Sequence, residues 1–245
     1  LKNYGRLLKE YGVTRPDQLR AVATSFAREA ANRDMFVDRV SIATGIDVTV
    51  LQASEAARLT YLAVRDLLEA GGLLAAGNVA VLEIGSGQTI LLYIRGGRVT
   101  VAQSFRFGAL RTRELVEAGG AAGPQLKGVL KAYATELVEQ VLQAIPREKV
   151  SALVVMGAGA RFAAEEAHAE PVGADPRLAV VSAAKLAELA DKVAPTSIDS
   201  LVRAHRMTYQ DAETVAPALM SAAQAARALK TKDVHVAQAT LRDGL

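Results

Sequence analysis

The sequence contains no cysteine and no tryptophan. Without cysteine there are no disulfide frameworks, thiolate metal sites or cysteine nucleophiles, and nothing points to an oxidising compartment. With aromatics at only 4%, the chain is poor in the stacking platforms that hold single-stranded nucleic acid, so no nucleic-acid partner is expected. Histidine is scarce too. His168, His205 and His235 are far apart and have no carboxylate at metal-ligand spacing, which assigns them structural or surface roles. The most hydrophobic region is interrupted by Glu69, Asn78 and Glu83, and no uninterrupted apolar run is long enough for a membrane-spanning helix. No membrane association is expected, and a cytoplasmic location is the default. A Gly-x-Ser-x-Gly elbow is also missing, since Ile84 stands two before Ser86, so serine hydrolase chemistry is unsupported.

What is present suits a globular protein. A chain of 245 residues, 51% hydrophobic and 22% charged, can bury one large or two small cores. Its net charge of +3 is compatible with a polyanionic ligand without requiring one. Arg95, Arg98, Arg106, Arg111 and Arg113 form the densest arginine group, readable as a solvated surface or as an anion-facing strip. The chain begins at Leu1 and shows no signal-peptide pattern, and it reads as a piece of something longer.

Periodicity alternates between helix and strand. A helical stretch opens at Pro16 to Leu19, followed by a strand over Leu19 to Thr24. Helical spacing runs from Ala27 to Ile42 with Gly45 as its stop, and a short strand from Ile46 to Leu51 follows. Ser54 would cap a helix from Glu55 to about Glu69, with Leu59, Leu62 and Leu67 on one face, ended by Gly71-Gly72. Three strands then come in close succession, Val79 to Ile84, Thr89 to Ile94 and Arg98 to Phe105, with Gly96-Gly97 as a hairpin turn. A helix over Leu126 to Ile145 carries an apolar stripe of Leu130, Tyr133, Leu137, Val138, Val141 and Leu142. A strand from Ala152 to Met156 leads into Gly157-Ala158-Gly159 and another helix. Helices near Ala183 to Val193 and Thr214 to Leu229, and a last strand over Val234 to Gln238, complete the pattern.

The most informative segment is Glu83-Ile84-Gly85-Ser86-Gly87-Gln88-Thr89-Ile90. It is a buried strand running into a glycine-rich turn, a shape that lets backbone N–H groups approach a phosphate. Gly157-Ala158-Gly159 could be half of a dinucleotide fingerprint, but Phe162 occupies the third glycine position. Another anion loop or a plain tight turn fits better.

Several runs together resemble the exopolyphosphatase and guanosine pentaphosphate phosphohydrolase (Ppx/GppA) family. They are Ala23-Thr24-Ser25-Phe26-Ala27-Arg28-Glu29-Ala30-Ala31-Asn32-Arg33, Thr44-Gly45-Ile46-Asp47-Val48, and Glu55-Ala56-Ala57-Arg58-Leu59. Glu83 to Thr89 stands where that family has Asp-Ile-Gly-Gly-Gly-Ser-Thr-Glu, and Phe107-Gly108-Ala109-Leu110-Arg111 resembles its Gly-Ala-Val-Arg segment. The closing Leu241-Arg242-Asp243-Gly244 is similar to Leu-Arg-Glu-Gly.

The resemblance implies an α/β chain of actin-like ATPase (RNase H-like) fold, with a partial first domain over residues 1–70 and a complete second domain over 71–245. It also implies phosphoanhydride hydrolysis with Mg2+, on polyphosphate or a guanosine alarmone, and it admits a homodimer. By resemblance, Arg28, Gly85, Ser86, Gly87, Gln88, Gly157 and Gly159 are the phosphate-binding candidates. Glu55 and Glu83 are the weak catalytic candidates, and Glu83 is also the weak metal candidate.

The family's catalytic glutamate position holds Ala56, and the glutamate ending its glycine loop is replaced by Ile90. Glu83 replaces the loop aspartate, Gly157-Ala158-Gly159 stands for Gly-Gly-Thr, and Asp211-Ala212-Glu213 stands for Arg-Ala-Asp or Arg-Ala-Glu, reversing a charge. Glu55 points about 100° away from Ala56 around the helix, and Gln88 can orient a water but is no base. Three readings follow. The chain is a weak or inactive relative that keeps a phosphate-binding cleft, an active hydrolase with a displaced base, or a protein-interaction scaffold using the helix face around Leu219 and Ala223.

Overall fold

The computed structural model describes residues 2–13, 15, 18–120, 124–147 and 149–245. The helical opening expected from Pro16 to Leu19 falls partly outside them. The chain divides into two compact units, 1–56 with 245, and 57–244.

The first unit is small. Its described elements are α1 (Lys2–Glu10), β1 (Ala21–Ala23), α2 (Ser25–Glu29), α3 (Arg33–Thr44) and β2 (Val48–Val50). Strands β1 and β2 pair in parallel, Ala21 with Val48 and Ala23 with Val50. The helical pattern expected from Ala27 to Ile42 is split by Ala30, which is extended at ψ 130° and ends α2. Gly45 closes α3 at φ 69°, the left-handed conformation that glycine adopts without a side-chain clash.

The boundary between the two units falls inside helix α4 (Ala53–Ala70). Its buried positions Leu59, Ala63, Val64, Leu67 and Leu68 recur at helical spacing, whereas Leu62 stays half-buried. Tyr61 donates from its hydroxyl to the Gly97 carbonyl at 3.2 Å. After Gly71 and Gly72 comes the short α5 (Leu73–Ala76).

The second unit is built on a seven-stranded sheet. Strands β3 (Val79–Ile84), β4 (Thr89–Arg95) and β5 (Arg98–Phe105) form an antiparallel meander. Strand β6 (Ala152–Met156) pairs in parallel with β3, and β9 (Asp233–Ala237) pairs in parallel with β6. The order in the sheet is thus β5-β4-β3-β6-β9. Beyond it lie β8 (Leu178–Ser182), antiparallel to β9, and the two-residue β7 (Glu170–Pro171). Near-continuous apolar sequence in β3, β4 and β6 matches their burial on both faces.

One face of the sheet packs against α6 (Ala109–Ala118), α7 (Pro124–Ala144), α8 (Ala158–Glu166), α9 (Ala183–Val193), α10 (Ile198–His205) and α11 (Tyr209–Ala228) in one continuous core. Leu219 lies in that core at 0% exposure, so packing accounts for it and it is not a surface for a partner. Leu142 is corrected as well. It is 41% exposed while Leu130, Leu137, Val138 and Val141 are buried, so it falls off the buried stripe of α7. The final turn, Leu241–Gly244, approaches α4 closely. A Cβ on Gly244 would meet the Leu59 carbonyl oxygen at 2.0 Å.

Candidate phosphate-binding site

Strands β3 and β6 run in the same direction and end side by side, Glu83 in register with Met156. Ligands in open α/β sheets gather at such carboxyl ends. Here two glycine-bearing segments meet there, Gly85–Gln88 after β3 and Gly157–Gly159 after β6.

The first segment is a two-residue turn. Gly85 donates its N–H to the Gln88 carbonyl at 3.0 Å, and the chain returns into β4. Its outer carbonyls are used by α6. Ala109 N–H donates to the Gly85 oxygen at 2.8 Å, and Leu110 and Arg111 donate to the Ser86 oxygen at 3.0 and 3.2 Å. The loop therefore supplies the acceptors that the first turn of α6 lacks, with no side-chain cap from Gly108.

A trans peptide places its N–H opposite its C=O. With the Gly85 and Ser86 carbonyls aimed at α6, the N–H groups of Ser86 and Gly87 are aimed away from it. Among the described residues neither N–H has an acceptor. Two adjacent N–H donors turned outward at an exposed tip can donate to an anion.

Close packing fixes this shape. A Cβ on Gly108 would lie 2.2 Å from the Ser86 oxygen and 2.4 Å from the Gly87 carbonyl carbon. Thr89 adds a short hydrogen bond from its hydroxyl to the Phe107 carbonyl. Gln88 is buried, so the exposed tip is Ser86.

The second segment begins at Gly157, at φ 109° and ψ −179°. A Cβ there would meet the Ile84 oxygen at 2.5 Å, so glycine serves both conformation and approach. Gly157 caps α8 without a side chain, and the first-turn N–H groups of that helix have no intrahelical partner. Gly159 has a packing reason for its size, since a Cβ would be 2.5 Å from the Ala218 Cβ on α11.

Glu83 sits beside this edge. A Cβ on Gly85 would lie 3.1 Å from a Glu83 carboxylate oxygen. Registered neighbours share a sheet face, so Met156, Glu83, Ile90 and Ser104 form one row across the sheet. Ile90 and Met156 are fully buried, and the Ser104 hydroxyl is buried without a hydrogen-bond partner. Glu83 keeps some exposure as a residue, yet burial of its carboxyl group raises the pKa to about 7.

The structure thus brings together Glu83, Gly85, Ser86, Gly87, Gln88, Gly157 and Gly159. Arg28 and Glu55 belong to the first unit. There Arg28 donates to the Leu51 carbonyl at 2.9 Å, and Glu55 lies in the first turn of α4.

The arginine group is not one strip. Arg95 and Arg98 pair beside the β4–β5 turn, a strand length of about 25 Å from Arg106 at the glycine-loop end, and Arg113 pairs with Glu117 at 2.6 Å. Of the histidines, His205 contacts Glu166 at 2.7 Å through Nδ1. Gly108 carries no site role by resemblance, and its contact with the loop arises only in the fold.

A family model described as the Ppx/GppA phosphatase family matches residues 1–245. The chain belongs to this family. An exopolyphosphatase 1 from Mycobacterium leprae (strain TN) is 28% identical over 231 residues, 93% of this chain and 67% of that protein. Among solved structures, the Ppx/GppA family member from Aquifex aeolicus superposes with a TM-score of 0.72 at 24% identity, covering 99% of this chain and 76% of its own. An exopolyphosphatase from Cytophaga hutchinsonii superposes at 0.80 with 17% identity, covering 99% and 77%. At those identities the structures establish the fold alone, the α/β architecture of these Ppx/GppA proteins. Among the described residues no helix is long and apolar enough to cross a membrane.

Proposed function

We propose that this Ppx/GppA protein holds a terminal phosphate of polyphosphate or of a guanosine penta- or tetraphosphate on its glycine loop and hydrolyses it weakly or not at all. The observation that carries this reading is the row Met156–Glu83–Ile90 beside the outward Ser86 and Gly87 N–H groups. The donors for an anion are kept, while a buried isoleucine stands where the resemblance expects a glutamate. With Ala56 at the other expected position, both glutamates that the resemblance implies for activating water are replaced. Losing one general base costs about two to four orders of magnitude in rate.

Magnesium fits this site only in part. Among the described residues no group of three or more His, Cys, Asp or Glu could hold a metal ion. Glu83 alone would contact it, and Mg2+ commonly uses one or two carboxylates with the substrate's own phosphate oxygens. That donor set suits a metal arriving on the phosphate chain. Bound there, it would neutralise phosphate charge, while the loop N–H groups orient the terminal phosphoryl.

One feature favours a second reading, an active hydrolase with a displaced base. A carboxylate with a pKa of about 7 is matched to proton transfer at neutral pH. The two readings separate in one assay. Full-length protein is incubated with Mg2+ and long-chain polyphosphate or guanosine pentaphosphate, and both binding and phosphate release are followed. Saturable binding without release above a metal-free control is expected. Metal-dependent release abolished by Glu83→Ala or Glu55→Ala would establish the second reading instead, and absence of binding to both ligands would reject both.

A further inference from the structure

Helices α7, α9 and α11 enclose a groove of about 300 Å3. None of its lining residues belongs to the glycine-loop site. One end, at Ala183 and Arg227, lies where β8 ends and β9 begins, since Ser182 pairs with Asp233. That is the sheet edge opposite Gly85 and Gly157.

Its chemistry is two-sided. The floor is apolar, made of Ala183, Ala187 and Ala190 on α9 with Met220 and Ala223 on α11. The alanines recur at helical spacing, so a row of methyl groups faces the groove and leaves it hollow. The rim is cationic. Lys127, Lys131 and Arg227 line it against a single carboxylate, Asp191, which is already paired with Lys127 at 3.0 Å. Among the described residues no ion pair engages Lys131 or Arg227.

An apolar partner would leave those two cations uncompensated, and a multiply charged inorganic anion would leave the alanine floor unused. Small-ligand sites combine a mostly apolar lining with a few convergent polar groups, in volumes from about 300 Å3 upward.

We propose that this groove binds a small amphiphilic organic anion, with its carboxylate, sulfonate or phosphate head between Lys131 and Arg227 and its apolar body on the alanine floor. This site is independent of the phosphate-binding reading, and its test uses different ligands.

The test is a titration of the protein with 8-anilinonaphthalene-1-sulfonate, followed by fluorescence, with decanoate, decanol and decyltrimethylammonium as competitors. Saturable one-to-one binding is expected, displaced by decanoate but not by decyltrimethylammonium. Lys131→Glu combined with Arg227→Glu should weaken it at least tenfold while leaving the thermal unfolding midpoint unchanged. Ala187→Leu, which fills the floor, should have a similar effect on binding. The proposal is overturned by non-saturable binding, by unchanged affinity in the charge-reversed variant, or by decanol competing as well as decanoate. The charge reversal lies on the surface and decides the matter even if Ala187→Leu fails to fold.

Discussion

Strand β4 has a glycine-bearing turn at each end, and the two are held in different ways. The β4–β5 turn holds Gly96 and Gly97 at φ 55° and 74° with nothing near their would-be Cβ positions. It is a hairpin turn matched to the twist of its strands, its conformation supplied by the two glycines, with one contact from outside, the Tyr61 hydroxyl on the Gly97 carbonyl. The β3–β4 turn at Ser86-Gly87 is set from outside, by three N–H groups of α6 and by the close approach of Gly108. A turn that only reverses the chain can stand open to solvent. The Ser86-Gly87 turn has two successive carbonyls held by one helix, which leaves its Ser86 and Gly87 N–H groups facing outward.

The sharpest way to break this contrast is Gly108→Ala. The added methyl would overlap the Ser86 and Gly87 backbone, where only movement of main chain gives relief. A stability loss of about 3 kcal/mol is expected in urea unfolding, together with at least tenfold weaker polyphosphate binding. Unchanged binding would show that the loop does not depend on its α6 support.

Glu83→Gln gives a smaller effect with a distinctive pH dependence. The native carboxyl titrates near 7 against an ordinary value of 4.5. Between those values the native state holds more protons than the unfolded chain, so its stability falls as pH rises. Glutamine avoids this loss. The variant's advantage should be absent below about pH 4.5, grow up to about pH 7 and then level off. Allowing for the residue's partial exposure, it should reach about 1–2 kcal/mol, measured by unfolding at a series of pH values. A pH-independent difference would mean that the carboxyl is not desolvated.

The smallest effect belongs to Gly96→Asn. Asparagine tolerates positive φ and meets open space, so stability should stay within about 0.5 kcal/mol and polyphosphate binding should not change. A binding loss there would put the arginines of that turn, Arg95 and Arg98, back among the ligand contacts.

The same contrast explains what the sequence made legible. Gly96-Gly97 and the strands beside it were readable because a local rule determines them, as was α9, whose expected span Ala183 to Val193 matches. Helix α6 was missed because its buried side is thin, only Ala109, Thr112 and Val116, and Gly108 gives no capping signal. Helix α10 buries one residue, Leu201, and was missed for the same reason. Strand β8 is a short apolar run that only its pairing with β9 distinguishes. At the site, the glycines and the replaced carboxylate at Ile90 could be read from residue order. The support of the loop by α6 and the burial of Glu83 could not, because both come from residues far apart in the chain.

The tie between the glycine loop and α6 also has a dynamic consequence. The amide protons of Ala109, Leu110 and Arg111 are shielded only while the Gly85 and Ser86 carbonyls accept them. Fraying of the first turn of α6 and relaxation of the loop are therefore a single opening event. Hydrogen exchange at those three amides reports how often the loop loses its shape, and a phosphate seated on the opposite side of the same peptides would slow exchange on a helix it does not touch.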